Sequence, residues 1–133
     1  MKVATWNVNS LNVRLEHVKN WLLTARPDVL VLQEIKQVTE SFPRDELQEL
    51  GYQGLASGQK TYNGVAVLSR ADILDPLTDF PGFDDPQRRI LAATIDGVRV
   101  INLYVPNGGS LGSDKYRYKL DWLNALHKFL KNE

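Results

Sequence analysis

The chain has 133 residues, room for one compact domain with a real core and not for two. Sixteen basic and sixteen acidic residues cancel to a formal charge of zero, without the basic excess common in nucleic-acid binders, although local patches survive a neutral total. No apolar run is long enough to span a membrane, no signal-peptide core opens the chain, and with no cysteine there is neither disulfide nor thiolate metal site. A cytoplasmic location with no membrane partner is the expectation.

In chain order, residues 3–8 read as a short strand closed by the turn "NVNS". Leu15, Val18, Leu22 and Ala25 then follow helical spacing, with Arg14, Lys19 and Asn20 off the stripe and Pro27 as the stop. Residues 29–34 read as a strand that opens on the apolar run 29–32 without alternation, the pattern of a strand covered on both faces. Strand, helix and strand together make a right-handed βαβ unit.

Residues 45–50 predict a short helix with Gly51 as its stop. Four strands are expected at 52–57, 64–69, 89–96 and 98–105, the last two joined by an Asp96-Gly97 hairpin turn. Residues 71–87 carry three prolines and read as a long surface excursion. The final helix, 116–130, shows a stripe of Leu120, Leu123, Leu126 and Leu130 flanked by Trp122 and Phe129. The fold class is α/β, strand-rich, in a single domain over 1–133.

"PDVLVLQEIK" poses the chemical question, because a carboxylate at the mouth of a buried strand is costly unless something uses its charge. Ligands of parallel sheets gather beyond the carboxyl ends of strands, where Asn7 and Glu34 would share a crevice if their strands are neighbours. One carboxylate with neutral oxygens and waters suits magnesium. The competing account pairs Glu34 with Lys36 or Arg14 and leaves Asn7 to shape a turn. Tyr104, before the loop Pro106-Asn107-Gly108-Gly109, can offer a hydroxyl to a phosphate or simply be a half-buried strand residue. Tyr62 and Asn63 lie in a loop suited to a phosphate backbone or to an ordinary turn. Arg88 and Arg89 should point to opposite sides, one toward Glu34 and the other to solvent or to Asp84 and Asp85. His17 and His127 read as surface or boundary residues.

Taken together, "TWNVNSLNVR", "PDVLVLQEIK", "GQKTYNGVAVLSR", "DPQRRILAAT" and "VINLYVPNG" resemble, in order and spacing, the exodeoxyribonuclease III family. This is the abasic-site branch of the endonuclease/exonuclease/phosphatase superfamily. The resemblance runs from Met1 to the end of the chain. It implies the amino-terminal part of a four-layer α/β sandwich, two packed sheets flanked by helices, one of them mixed. It also implies a magnesium-dependent phosphodiesterase, manganese being a substitute, that acts on duplex DNA at abasic sites and 3′ ends. By the same resemblance Glu34 binds the metal, Asn7 is the active-site asparagine, and Asn9 stands near the metal. Tyr104 contacts the scissile phosphate, and Arg89, Asn107, Tyr62, Asn63, Asn9 and Lys36 line the DNA track.

Relatives of this family are longer, and their second part carries a Gly-Asp-x-Asn motif, a further aspartate and a closing Ser-Asp-His, none of which occurs here. The domain is therefore expected to be incomplete and the isolated chain essentially inactive, since a metal clamp without a positioned nucleophile does little. Open sheet edges and an apolar helix face would invite a complementing carboxy-terminal fragment or a homodimer. The rival from another class is a non-catalytic DNA-binding or interaction module; phosphoinositide or sphingomyelin hydrolysis ranks last.

Overall fold

The structure is a computed structural model that describes residues 1–133. Strands β1 (Val3–Asn7) and β2 (Val29–Gln33) flank helix α1 (Leu11–Ala25); helix α2 (Arg44–Glu49) leads into five successive strands, β3 (Gln53–Ser57), β4 (Val65–Ser69), β5 (Leu74–Leu77), β6 (Ile90–Ile95) and β7 (Val98–Leu103), and helix α3 (Asp114–Lys131) follows. The chain gathers into two compact units, Met1–Thr78 with Pro86–Tyr104, and Asp79–Asp85 with Val105–Glu133.

The first unit holds both sheets. One is mixed, in the order β1-β2-β4-β3, with β1 parallel to β2 and the other pairs antiparallel; the second, β5-β6-β7, is antiparallel throughout. Every residue of β2 and β4 is buried, which is why neither strand alternates in sequence. Their side chains still divide by face. Leu30, Leu32, Ala66 and Leu68 join Leu11, Val18, Leu22 and Leu47 from α1 and α2. Val29, Val31, Val65 and Val67 meet Leu91 and Ile95 of the second sheet. Each such valine, leucine or isoleucine, taken from water, stabilises the fold by about 1.5–3 kcal/mol.

Helix α1 starts four residues before the Leu15 expected from its stripe. The Ser10 hydroxyl caps it by accepting from the Val13 amide at 3.4 Å, so Leu11 enters the core inside the helix. It ends at Arg26, whose left-handed backbone reverses the chain before Pro27. Tyr52, fully buried, donates its hydroxyl to the Pro27 carbonyl at 2.7 Å and carries the Arg26 guanidinium on its ring. Asp96 and Gly97 both have positive φ (49° and 76°), as the two-residue turn between β6 and β7 requires.

The stretch expected to be a surface excursion contains β5. It is an edge strand with a register shift between Leu74 and Leu77, and an edge can accommodate Pro76, which has no amide to donate.

In the second unit, α3 is capped by the Ser113 hydroxyl, which accepts from the Tyr116 amide at 3.2 Å. Its buried face is Trp122, Ala125 and Phe129; Leu120 and Leu130 are each 48% exposed and Leu123 37%. The expected leucine stripe is thus not the core face. Phe80 packs edge-on against Trp122 at 5.3 Å and against Phe129 at 5.5 Å, and the aromatic cluster decides which side turns inward. Tyr118 donates to Asp85 at 2.6 Å within the same unit. No helix is long and apolar enough to cross a membrane.

Candidate active site

β1 and β2 are adjacent and parallel, with Asn7 opposite Gln33, so the residues that follow them emerge side by side. The parallel ladder continues past both strand ends. Val8 donates to the Gln33 carbonyl, Ser10 to that of Glu34 and Leu11 to that of Ile35, at 2.8–3.1 Å. Holding these loops together demands unusual backbone: Asn9, Ser10, Glu34 and Lys36 have φ of 43°, 87°, 57° and 55°. Asparagine adopts that region readily; glutamate and lysine do so at a cost of about 1 kcal/mol or more each.

Ile35, fully buried between them, fixes the arrangement. Its amide donates to the Gly64 carbonyl at 3.2 Å, and the Lys36 amide donates to that of Asn63 at 2.9 Å. Gly64 has φ of +92°, and a Cβ there would lie 2.5 Å from Ile35 Cγ1, so only glycine allows this approach. Anchored so, Glu34 and Lys36 both point away from the core.

The side chains close into a small polar ring. The Asn7 amide donates to Glu34 Oε2, and Asn7 Oδ1 accepts from the Asn9 backbone amide at 3.1 Å. Lys36 Nζ donates to Asn9 Oδ1 at 2.6 Å and lies 3.6 Å from Glu34 Oε1. Asn7 is therefore bound to Glu34 as the crevice argument requires, and Lys36 pairs with the same carboxylate.

Tyr104 completes this group. Burial raises its phenol above the ordinary tyrosine range, the negative charge of Glu34 raises it further, and the Arg89 guanidinium opposes both. The phenol keeps its proton at neutral pH and can donate a hydrogen bond. Arg89 stacks on the Tyr104 ring at 4.6 Å, so of the two arginines it is the one on the Glu34 side; Arg88 donates through Nε to the Pro86 carbonyl at 3.3 Å.

Other residues named from sequence make contacts of their own. Asn63 joins it through its backbone bond to Lys36, while its side chain donates to Gln59 Oε1 at 3.0 Å. Gln59 Oε1 also accepts from the Arg88 amide at 2.8 Å, which pins the loop that displays Tyr62, 68% exposed. Asn107 belongs to the second unit, where its Oδ1 accepts from the Gly109 amide at 3.2 Å and shapes the Gly-Gly turn. His17 and His127 are exposed helix residues.

The sequence reading missed Asn102, 1% exposed and two residues before Tyr104. Its amide donates to the carbonyls of Leu32 at 2.8 Å and Ala66 at 2.9 Å, and its oxygen accepts from Gln33 Nε2 at 2.8 Å. Gln33 donates as well to the Thr5 hydroxyl at 2.9 Å. A lone asparagine inside "VINLYV" was the available signal.

As a metal centre the donor set is small. No cluster of three or more His, Cys, Asp or Glu exists; Glu34 is the one carboxylate of the ring, beside the amide of Asn7. That fits magnesium, which binds through one or two carboxylates and keeps several waters, better than an all-protein cage.

Comparison with known proteins takes in nearly the whole chain. The profile of the endonuclease/exonuclease/phosphatase family matches residues 4–132. The chain is 33% identical over 139 residues to exodeoxyribonuclease III of Haemophilus influenzae, the match taking in 100% of this chain and 52% of that protein. It superposes with a TM-score of 0.97 on a 3′ phosphatase from Neisseria bound to product DNA hairpin, at 53% identity over 99% of this chain and 52% of that one. On an AP endonuclease from Archaeoglobus fulgidus the TM-score is 0.95, at 39% identity over 99% of this chain and 51% of that one. The chain thus spans about half the length of the curated exodeoxyribonuclease III it matches.

Proposed function

Because the chain belongs to the endonuclease/exonuclease/phosphatase family, we propose that it supplies the phosphate-facing half of a DNA-repair nuclease of the exodeoxyribonuclease III type. Its substrates would be the phosphodiesters of duplex DNA at abasic sites and 3′ ends. The observation that carries this reading is the juxtaposition of Glu34, bound by Asn7, with the protonated phenol of Tyr104 at the mouth of two parallel strands.

Glu34 and Asn7 would hold a magnesium ion, with manganese as substitute, which when bound supplies positive charge to a phosphate oxygen. Asn7 keeps the Glu34 carboxylate oriented by donating to its Oε2. Tyr104 donates its hydroxyl to a phosphate oxygen and stays neutral while doing so. Lys36, held by Asn9, adds a fixed cation beside the phosphate. Tyr62 and Asn63 would lie along the DNA.

Among Asn7, Asn9, Glu34, Lys36, Arg89 and Tyr104 there is one carboxylate and no imidazole. With Glu34 committed to a metal, none of them is suited to take a proton from water at neutral pH. The chain by itself is proposed to be essentially inactive, its chemistry completed by a partner segment that brings further carboxylates or a histidine. The same single-carboxylate ring favours one second reading, a module that binds duplex DNA without cleaving it.

The test is nicking of a labelled duplex with one abasic site, in magnesium and in EDTA, by the chain alone and with a complementing segment from an exodeoxyribonuclease III. Magnesium-dependent nicking only in the second case is the expected result. Nicking by the chain alone would overturn its proposed inactivity. Salt-dependent duplex binding with no nicking in either case would favour the second reading.

A further inference from the structure

Arg89 lies directly before β6, with Tyr104 as its backbone partner. From the sequence it was expected on the DNA track, where a guanidinium would meet a phosphate. The structure turns that guanidinium to Tyr104 through two contacts, beside a backbone bond between the two residues and a bond to Gln87. It stacks over the Tyr104 ring at 4.6 Å. It donates through Nη1 to the Tyr104 carbonyl at 3.1 Å. Its own carbonyl accepts from the Tyr104 amide at 2.8 Å. Its Nε donates to Gln87 Oε1 at 2.8 Å, which sets the plane of the fork.

We infer that Arg89 is a positioning residue: it clamps Tyr104 between its guanidinium and the Glu34 carboxylate, and so acts on the phosphate through the phenol. The inference rests on the role proposed for Tyr104 above. A tyrosine side chain turns about two torsions, and a ring free to swing would spread its hydroxyl over several ångströms. Stacking on one face limits the swing of the ring, and the bond to the Tyr104 carbonyl holds the guanidinium in place to do so. Arginine suits the task because its planar fork can stack and donate at once; a lysine ammonium can keep the charge but not the plane. Misplacing a reacting group by about 1 Å can cost on the order of a hundredfold in rate, so a clamp of this kind matters to turnover without touching substrate.

The test uses the chain with its tyrosine rings isotopically labelled, Tyr104→Phe assigning the signal. Arg89→Gln is expected to displace the Tyr104 ring resonances and speed the flipping of the ring, with the other tyrosines unmoved. Arg89→Lys should give a partial displacement, and it keeps the question open to measurement if the glutamine variant does not fold. In duplex binding followed by anisotropy, the slope of affinity against salt should match that of the unaltered chain. Where the complemented protein cleaves, kcat should fall about tenfold or more with KM unchanged.

Tyr104 signals that stay put in both variants would overturn the inference. So would a salt slope that falls by about one, because that is the loss of a direct phosphate contact. If neither protein binds DNA but the ring signals move, the proposed function fails while the coupling of Arg89 to Tyr104 stands.

Discussion

Asn102 and Gln33, 69 residues apart in sequence, share a buried hydrogen bond of 2.8 Å that ties the second sheet to the first. Glu34 follows Gln33 directly, and Tyr104 lies two residues beyond Asn102. The bond therefore fixes the register between the strand that carries the carboxylate and the strand that carries the phenol. Its members satisfy one another, as a buried polar group must.

Asn102→Leu is expected to cost about 2–4 kcal/mol, because it leaves Gln33 Nε2 short of a partner and removes a donor from two buried carbonyls. Urea unfolding of the chain measures it. A loss under about 0.5 kcal/mol would mean that the sheets are held in place by apolar packing alone.

Gly64→Ala should destabilise the chain by about 1–3 kcal/mol, since the new Cβ would lie 2.5 Å from Ile35 Cγ1 on a backbone with φ of +92°. Thermal unfolding reports the loss. The amide signals of Glu34 and Lys36 should shift with it, whereas Gly82→Ala, where nothing lies within 4 Å, should leave them in place.

Glu34→Gln should abolish the response of the Asn7 side-chain amide signal to added magnesium while leaving the fold intact. The glutamine keeps the shape of the glutamate and can still accept from Asn7, but it has no charge to offer a cation. A magnesium response of equal size in the variant would place the metal elsewhere.

Asp28 gives the chain a pH dependence away from the site. Its carboxylate accepts from the Lys2 amide and from Arg70, each at 2.6 Å, and these two partners hold it below the usual aspartate range. A carboxyl depressed in the folded state stabilises the fold above its unfolded value of about 4, and that stabilisation is lost as pH falls through the lower folded value. Asp28→Asn should therefore be less stable than the unaltered chain at pH 7, and the gap should close toward about pH 2. Denaturant unfolding at pH 7, 4 and 2 would show it; a gap that persists unchanged at pH 2 would rule out the carboxyl as its source.

Glu34 was legible in the sequence because it breaks a local rule. A charge one residue beyond four apolar ones, at the end of a buried strand, conflicts with its neighbours, and such conflicts mark sites. Asn7 followed from topology, once βαβ connectivity placed its strand beside β2. Asn102 followed from neither. A single polar residue in an apolar strand reads as facing water, and its partners Leu32, Gln33 and Ala66 are remote in sequence.

The inward face of α3 was hidden for a different reason. Leucines and aromatics run along that helix as adjacent stripes of equal period, and only the position of Phe80 distinguishes them. β5 was concealed by Pro76, which argues against a strand everywhere but at a sheet edge.

Ile35 sets how the crevice can change. Since it is buried between two left-handed residues, the chain there cannot gain or lose one residue without driving Glu34 or Lys36 into the core and Ile35 into water. Variation in this loop is thereby confined to exchange of side chains at constant length. The negative and positive groups travel as a pair, one anion and one cation on either side of a fixed apolar pivot. A lineage could retune the affinity of this crevice for cations or phosphates by altering either member, but it could not shift the pair along the strand.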